Sequence, residues 1–293
     1  MLQNQKKDFI PGLELSEKFF EELVQPILKD NFPNLKYAAA LLGEGSEVLG
    51  FDDLTSTDHD WGPRLLIFLS EEDYSNISSE LKEIFSKKLP YTFLGYSTNW
   101  GEPDPNDSMT QVLKPVNEGR VNHRIEIHTV NAFLLKNLGI DSLDDLSEFK
   151  WLLFSEQKLL EITSGKIFYD SSGELTKART TLGNYYPENV WYFKLLSEWE
   201  HIAQERAFVG RLGSIGDDLG SRIETARIVR FIIRLSFLLS KTYIPYPKWL
   251  GMSFKNLEIA KELNPILLKC LREQNWRERE KYLCDAYLIL LDN

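Results

Sequence analysis

Asp58 and Asp60 stand one residue apart, and eleven residues separate Asp58 from Gly43-Glu44-Gly45-Ser46 upstream. In an extended strand, residues two apart point to the same side, so the two carboxylates share one cation while His59 faces away. The apolar run Tyr37 to Leu42 before the glycines predicts a buried strand. The Gly-Ser turn is then placed to open a helix, whose free backbone N–H groups and dipole hold phosphate around Gly45 and Ser46. A metal clamp and a phosphate cradle are thereby brought together. Asp52 and Asp53 also lie in the spacer, but Leu65 to Leu69 makes Asp58 and Asp60 the entry to a second buried strand. Arg64 falls on their parity, which leaves two readings: it points into the same cleft, or it pairs with a carboxylate.

A further carboxylate follows. In Val121 to His128, alternation puts Ile125 and Ile127 on one face and Asn122, Arg124, Glu126 and His128 on the other. A strand so polar on one face is either a sheet edge with ordinary ion pairs or an active-site wall. Arg124 and His128 read as hydrogen-bond partners rather than as metal ligands. Between the strands, Trp100 to Asn117 is rich in Pro, Gly, Asp and Asn; structureless loops longer than about 12–15 residues are often functional, and this one is placed to cover the cleft.

The string Gly43-Glu44-Gly45-Ser46, spacer, Asp58-His59-Asp60 resembles the core motif of the DNA polymerase β-like nucleotidyltransferase superfamily, which includes the aminoglycoside nucleotidyltransferases. The longer run through Trp61-Gly62-Pro63-Arg64, and Tyr243-Ile244-Pro245-Tyr246-Pro247-Lys248-Trp249-Leu250-Gly251, resemble a bacterial family known only as a domain of unknown function. The resemblance implies a mixed α/β sheet with flanking helices followed by a helical bundle. It also implies a third metal-binding acid on a later neighbouring strand, a position Glu126 fits. Two Mg²⁺ ions on Asp58, Asp60 and Glu126 would then serve transfer of a nucleoside monophosphate, AMP from ATP by analogy, to a hydroxyl or phosphate acceptor. Gly45 and Ser46 would hold the phosphates, with Arg64 and Lys248 added as nucleotide-binding groups; a lone lysine such as Lys248 is otherwise simply solvated.

Composition narrows the partners. The formal net charge of −10 argues against broad nucleic-acid binding, which needs clustered Lys and Arg, and favours small cationic acceptors. A tRNA or protein acceptor, and a nucleotide-binding regulator without turnover, are the alternatives. Met1 to Lys7 lacks the apolar segment of a signal peptide and no run reaches the ~20 apolar residues of a membrane span, so a cytoplasmic enzyme is expected. Cys270 and Cys284 lack metal-ligand spacing and read as reduced core thiols.

The elements that position these groups follow from periodicity. Helices are expected over Ser16–Lys29, with Ser16 as N-cap, over Tyr74–Lys88, Leu143–Phe154 and Glu156–Thr163; strands are expected over Tyr91–Tyr96 and Gly165–Asp170. Helices over Asn189–Phe208, Asp217–Thr242, Asn256–Glu273 and Trp276–Leu291 make a bundle. The expected division is a catalytic domain over 1–177 and a helical domain over 178–293. Within the latter, Arg227, Arg230 and Arg234 form a cationic stripe that suits a triphosphate or is merely a solvated face. Glycines 210, 213, 216 and 220 signal tight turns or close approach to a ligand. Glu198, Glu200 and Glu205 are candidate general bases.

Overall fold

The computed structural model describes residues 9–144 and 146–292. The reading of Met1 to Lys7 as leader-free lies outside the described residues. The chain forms two compact units: one runs to Asp144 and resumes over Glu161–Asn184, and the other comprises the segment up to Leu160 together with Tyr185 onward. The chain therefore passes between units at 144/145, 160/161 and 184/185, where sequence reading drew one boundary after residue 177.

The first unit opens with helices α1 (Gly12–Phe19) and α2 (Gln25–Asn31), joined through a π-helical turn at Phe20–Val24. The helix begins four residues before the expected cap: Ser16 lies inside it, fully buried, and the N–H of Gly12 is instead capped from a distance by Asp52 Oδ2 at 2.6 Å. Strands β1 (Ala38–Leu41) and β2 (Arg64–Phe68) are buried along their whole length. Helix α3 (Glu71–Lys88) follows, capped by Ser70.

The expected strand over Tyr91–Tyr96 folds back on itself as β3 (Thr92–Phe93) and β4 (Tyr96–Ser97), a separate two-stranded ribbon. Leu94 (φ 44°) and Gly95 (φ 77°) both sit at positive φ, the requirement of a tight hairpin turn that glycine meets without strain. The loop from Trp100 is also more ordered than its composition suggests, since bridges Trp100–Leu113 and Asp104–Thr110 close it on itself.

Strand β5 (Arg124–His128) shows the alternation anticipated, with Ile125 and Ile127 buried and Arg124, Glu126 and His128 half-buried. After α4 (Val130–Leu138), the chain passes through the second unit's α5 (Glu148–Leu153), returns along α6 (Glu156–Thr163), and adds β6 (Lys166–Asp170) and α7 (Glu174–Gly183). The main sheet has the order β5-β2-β1-β6 and is mixed: β1 runs antiparallel to both neighbours, while β2 and β5 are parallel. Its core joins Leu15, Phe19 and Phe20 to Trp61, Leu65, Ile67, Phe85, Ile125 and Ile127. Burial of such side chains contributes about 1.5–3 kcal/mol each, which is what holds β2 and β5 in register.

The second unit is helical: α8 (Glu188–Glu205), α9 (Phe208–Ser214), α10 (Asp218–Leu239), α11 (Pro247–Phe254), α12 (Ala260–Arg272) and α13 (Trp276–Leu291). Helix α10 packs against α8, α9, α12 and α13, and Asp217 caps it through the N–H of Gly220. Arg279, 1% exposed, binds the carbonyls of Glu273 and Gln274 at the end of α12 and reaches Ser221 and Asp218 on α10. A cation at a helix C-terminus is favourable, and here it ties three helices together. Cys270 is buried and Cys284 exposed, so only the first fits the expected core thiol. No described helix is long and apolar enough to cross a membrane.

Candidate functional site

The Gly43–Ser46 segment does not open a helix. Residues 46–50 form successive turns, with the N–H of Phe51 donating to Ser46 O at 2.9 Å, and the next helical element is a short 3₁₀ turn over Leu54–Asp58. The phosphate-holding helix terminus expected at Gly45 and Ser46 is therefore absent, and the physical cause is Arg64. Its Nε and Nη2 donate to Glu47 Oε1 at 2.8 and 2.6 Å, and Nη2 also donates to Glu44 O at 2.5 Å. Arg64 and Glu47 are 7% and 2% exposed. Desolvated this deeply, each charge requires the other, so the chain wraps the guanidinium instead of leaving it free for a nucleotide. Of the two readings of Arg64, the carboxylate pair is the one formed. Gly45 makes the wrap possible: its φ is +141°, and a Cβ there would lie 2.4 Å from Arg64 Nη2.

The spacer acids are structural. Asp52 Oδ2 accepts from Gly12 N and from Trp61 Nε1 at 3.0 Å, and Asp53 caps the 3₁₀ turn through Thr55 and Ser56. Asp58 and Asp60 precede β2 and do not lie in a strand. Asp58 ends the 3₁₀ turn, two-thirds exposed, with Oδ1 2.9 Å from His59 Nδ1. His59 is extended, but Asp60 adopts φ +51°, so the alternation that would align the two carboxylates is broken between them. The shared-cation geometry expected of an extended Asp-x-Asp is thus not formed.

Asp60 is instead fixed by the loop from Trp100. Its N–H donates to Gln111 O at 2.7 Å, its Oδ1 accepts from Gln111 N at 3.2 Å, and the same oxygen accepts from Arg124 Nη1. The Arg124 guanidinium lies over the Trp100 ring, 4.9 Å from its centroid. Two residues along β5, Glu126 Oε2 meets His128 Nε2 at 3.0 Å. That hydrogen bond is the main cause that draws the Glu126 carboxyl down to about 2, against the opposing effect of burial. Arg124 and His128, expected as hydrogen-bond partners rather than metal ligands, each make a hydrogen bond to an acid here.

Arg124, Glu126 and His128 line an open groove of about 970 Å³ together with Glu102, Gln111 and Arg120. Strand β5 is an edge strand of the sheet, so its polar face is both an edge and a groove wall. Glu126 opposes Leu66 on β2, the strand that Asp58 and Asp60 lead into. The structure therefore places Glu126 on the neighbouring strand implied by the resemblance, and joins Asp60 to its groove through Arg124 and Gln111. Asp58 does not line that groove. Among the described residues no group of three or more His, Cys, Asp or Glu is gathered to hold a metal ion. Asp60 and Glu126 are already hydrogen-bonded to a guanidinium and an imidazole, and Asp58 lies at ion-pair distance from His59, so the three do not fit a divalent cation in this arrangement.

Sequence reasoning missed Trp100 and Gln111. Their only signal was the length of the loop that carries them.

The helical unit offers less than its composition suggested. Arg227 pairs with Glu205 at 2.6 Å, and Arg234 binds Glu198 at 2.6 Å and Glu156 at 3.3 Å, so two members of the cationic stripe are matched to carboxylates. The candidate bases Glu198 and Glu205 are occupied by the same pairs, and Glu200 accepts from Gln204. Gly210 and Gly213 serve close packing, since a Cβ at Gly213 would lie 2.3 Å from the Trp276 ring and one at Gly210 2.3 Å from Glu280, whereas Gly216 sits at φ +84° with open space around it. Lys248 is exposed on α11, its Nζ 4.8 Å from the Trp249 ring centroid, and belongs to the second unit.

Among known proteins, the family described as a domain of unknown function (DUF4037) matches residues 151–250. That segment contains most of the Tyr243–Gly251 run but not the Gly43–Arg64 string. The chain is similar to the crystal structure of a nucleotidyltransferase-like protein from Exiguobacterium sibiricum at 12% identity, over 93% of this chain and 75% of that one, with a TM-score of 0.37. Comparison with curated proteins gives no significant match.

Proposed function

We propose that the protein is a nucleotidyltransferase that moves a nucleoside monophosphate, with ATP the first donor to test, onto a hydroxyl or phosphate of a small acceptor. The observation that carries this reading is the polar face of β5, where Arg124, Glu126 and His128 line one groove and Arg124 is held by Asp60 of the Asp58-His59-Asp60 segment. In the transfer, an acceptor oxygen forms a bond to the α-phosphorus and the α–β bridging P–O bond breaks. Pyrophosphate leaves with the bridging oxygen, and the acceptor's proton passes to water or a carboxylate. Arg124 supplies a planar cation suited to phosphate oxygens. The two-ion Mg²⁺ expectation requires carboxylates that are free, whereas Asp60 and Glu126 are paired; the assay reads metal dependence directly. The net charge of −10 supports a cationic small acceptor over tRNA.

The test is pyrophosphate release from each NTP, with and without Mg²⁺, across hydroxylated and aminated acceptors. Release that is lost in Glu126→Gln supports the proposal. A second reading, a nucleotide-binding regulator without turnover, is favoured by the pairing of Asp60 and Glu126 with protein groups. Tight NTP binding with no product on any acceptor would establish that reading instead.

A further inference from the structure

Strand β5 is an edge strand, and only part of its free edge is covered. In a strand, the N–H and C=O of one residue point to one side and those of the next residue to the other. The carbonyl of His128 accepts from Leu69 N at 2.9 Å, so Arg124, Glu126 and His128 turn their backbone groups toward β2, while Ile125 and Ile127 turn theirs outward. Upstream, α3 supplies the outward partners: Val121 N–H donates to Ser86 O and Ser86 Oγ donates to Val121 O, each at 2.8 Å. His123 extends that cover by one group, its Nε2 lying 3.0 Å from Lys82 O and its Nδ1 accepting from Ile125 N at 3.1 Å. The cover ends there. The carbonyl of Ile125 and both backbone groups of Ile127 have no hydrogen-bond partner among the described residues, although each isoleucine is only 3% exposed. Buried backbone groups are rarely left so.

These groups face the groove. Every residue over 120–128 lines it, and not alternate ones, so it follows the edge of the strand, between Tyr74, Lys82 and Ser86 of α3 and Glu102 and Gln111 of the Trp100 loop. A second folded sheet would bring flanking layers of its own, which α3 and the loop keep away from so recessed an edge. A single extended chain enters and adds a strand. Lying antiparallel, the more stable pairing per residue, its residues opposite Ile127 and Ile125 satisfy the three open groups. Its residues opposite Glu126 and Arg124 then project to the polar face, where directly opposed unlike charges attract. The Glu126 and Arg124 side chains are 41% and 21% exposed, so an incoming chain can meet both.

We propose that the open edge of β5 docks one extended segment of a partner protein, added antiparallel, with a basic side chain two positions before an acidic one. The inference rests on the backbone of β5 and not on the transfer reading above.

The test titrates the full wild-type chain, ¹⁵N-labelled at isoleucine, with the capped heptapeptide Thr-Val-Lys-Val-Glu-Val-Thr, and follows the Ile127 amide by nuclear magnetic resonance, its peak assigned from Ile127→Val. The peptide is expected to move that amide downfield as its N–H gains an acceptor. Methylating the nitrogens of the first two valines, which removes the donors to Ile127 and Ile125, is expected to weaken binding at least tenfold, and exchanging Lys and Glu at least threefold. His123→Ala, which frees the Ile125 N–H for the peptide, is expected to tighten binding. No movement of the Ile127 amide at about 2 mM peptide, a concentration that still reports the weakest specific complexes, would overturn the inference. So would binding indifferent to N-methylation. Movement of the same amide with protein concentration alone would assign the edge to a second copy of the chain and overturn it equally.

Discussion

Arg64 and Arg124 are register partners at the starts of two parallel strands, yet they do opposite things. Arg64 turns into the protein, is almost completely buried, and organises the Gly43–Gly50 loop around its pair with Glu47. Arg124 turns to the groove and holds Asp60 at an exposed edge, its partner's side chain 36% exposed. Burial separates the two. A charge withdrawn from water cannot exchange its partner, whereas one at a groove edge can be recruited by a ligand. The first arginine is walled into the fold, and the second stands at the groove.

That contrast can be broken in order of expected effect. Arg64→Met strands the Glu47 carboxylate in the interior and should lower stability by about 3–5 kcal/mol in urea denaturation. A loss under about 1 kcal/mol would mean the buried pair is not what organises the loop. Gly45→Ala places a Cβ against the same guanidinium at an unfavourable φ and should cost about 2 kcal/mol by the same measurement. Asp52→Ala removes the acceptor that caps α1 and holds Trp61, for about 1–2 kcal/mol, read as a lowered thermal midpoint. Arg124→Gln, at the exposed edge, should change stability by no more than about 1 kcal/mol. If it instead matched Arg64→Met, the division between the two arginines would collapse.

Much of this was legible from residue order. Period-two alternation placed Ile125 and Ile127 inward and Arg124, Glu126 and His128 outward, because an edge strand must divide its faces between core and water. Periodicity likewise gave α13, with bounds that coincide with those expected, Trp276–Leu291. What misled was local backbone geometry decided by distant partners. The Gly-Ser turn reads as a helix opening until Arg64, 18 residues after Ser46 in the sequence, is known to need wrapping. The Asp58-His59-Asp60 run reads as extended until Gln111 pulls Asp60 into the left-handed region. Ser16 reads as a cap until Asp52 supplies one from forty residues away.

On the proposed function the polar face of β5 acts on nucleotide phosphates, and pyrophosphate release compared between the wild type and Glu126→Gln decides it. Release from one NTP in the presence of its acceptor is expected, abolished in Glu126→Gln while the thermal midpoint stays within a few degrees of the wild type. Equal release by both proteins would contradict it and move the chemistry away from this groove.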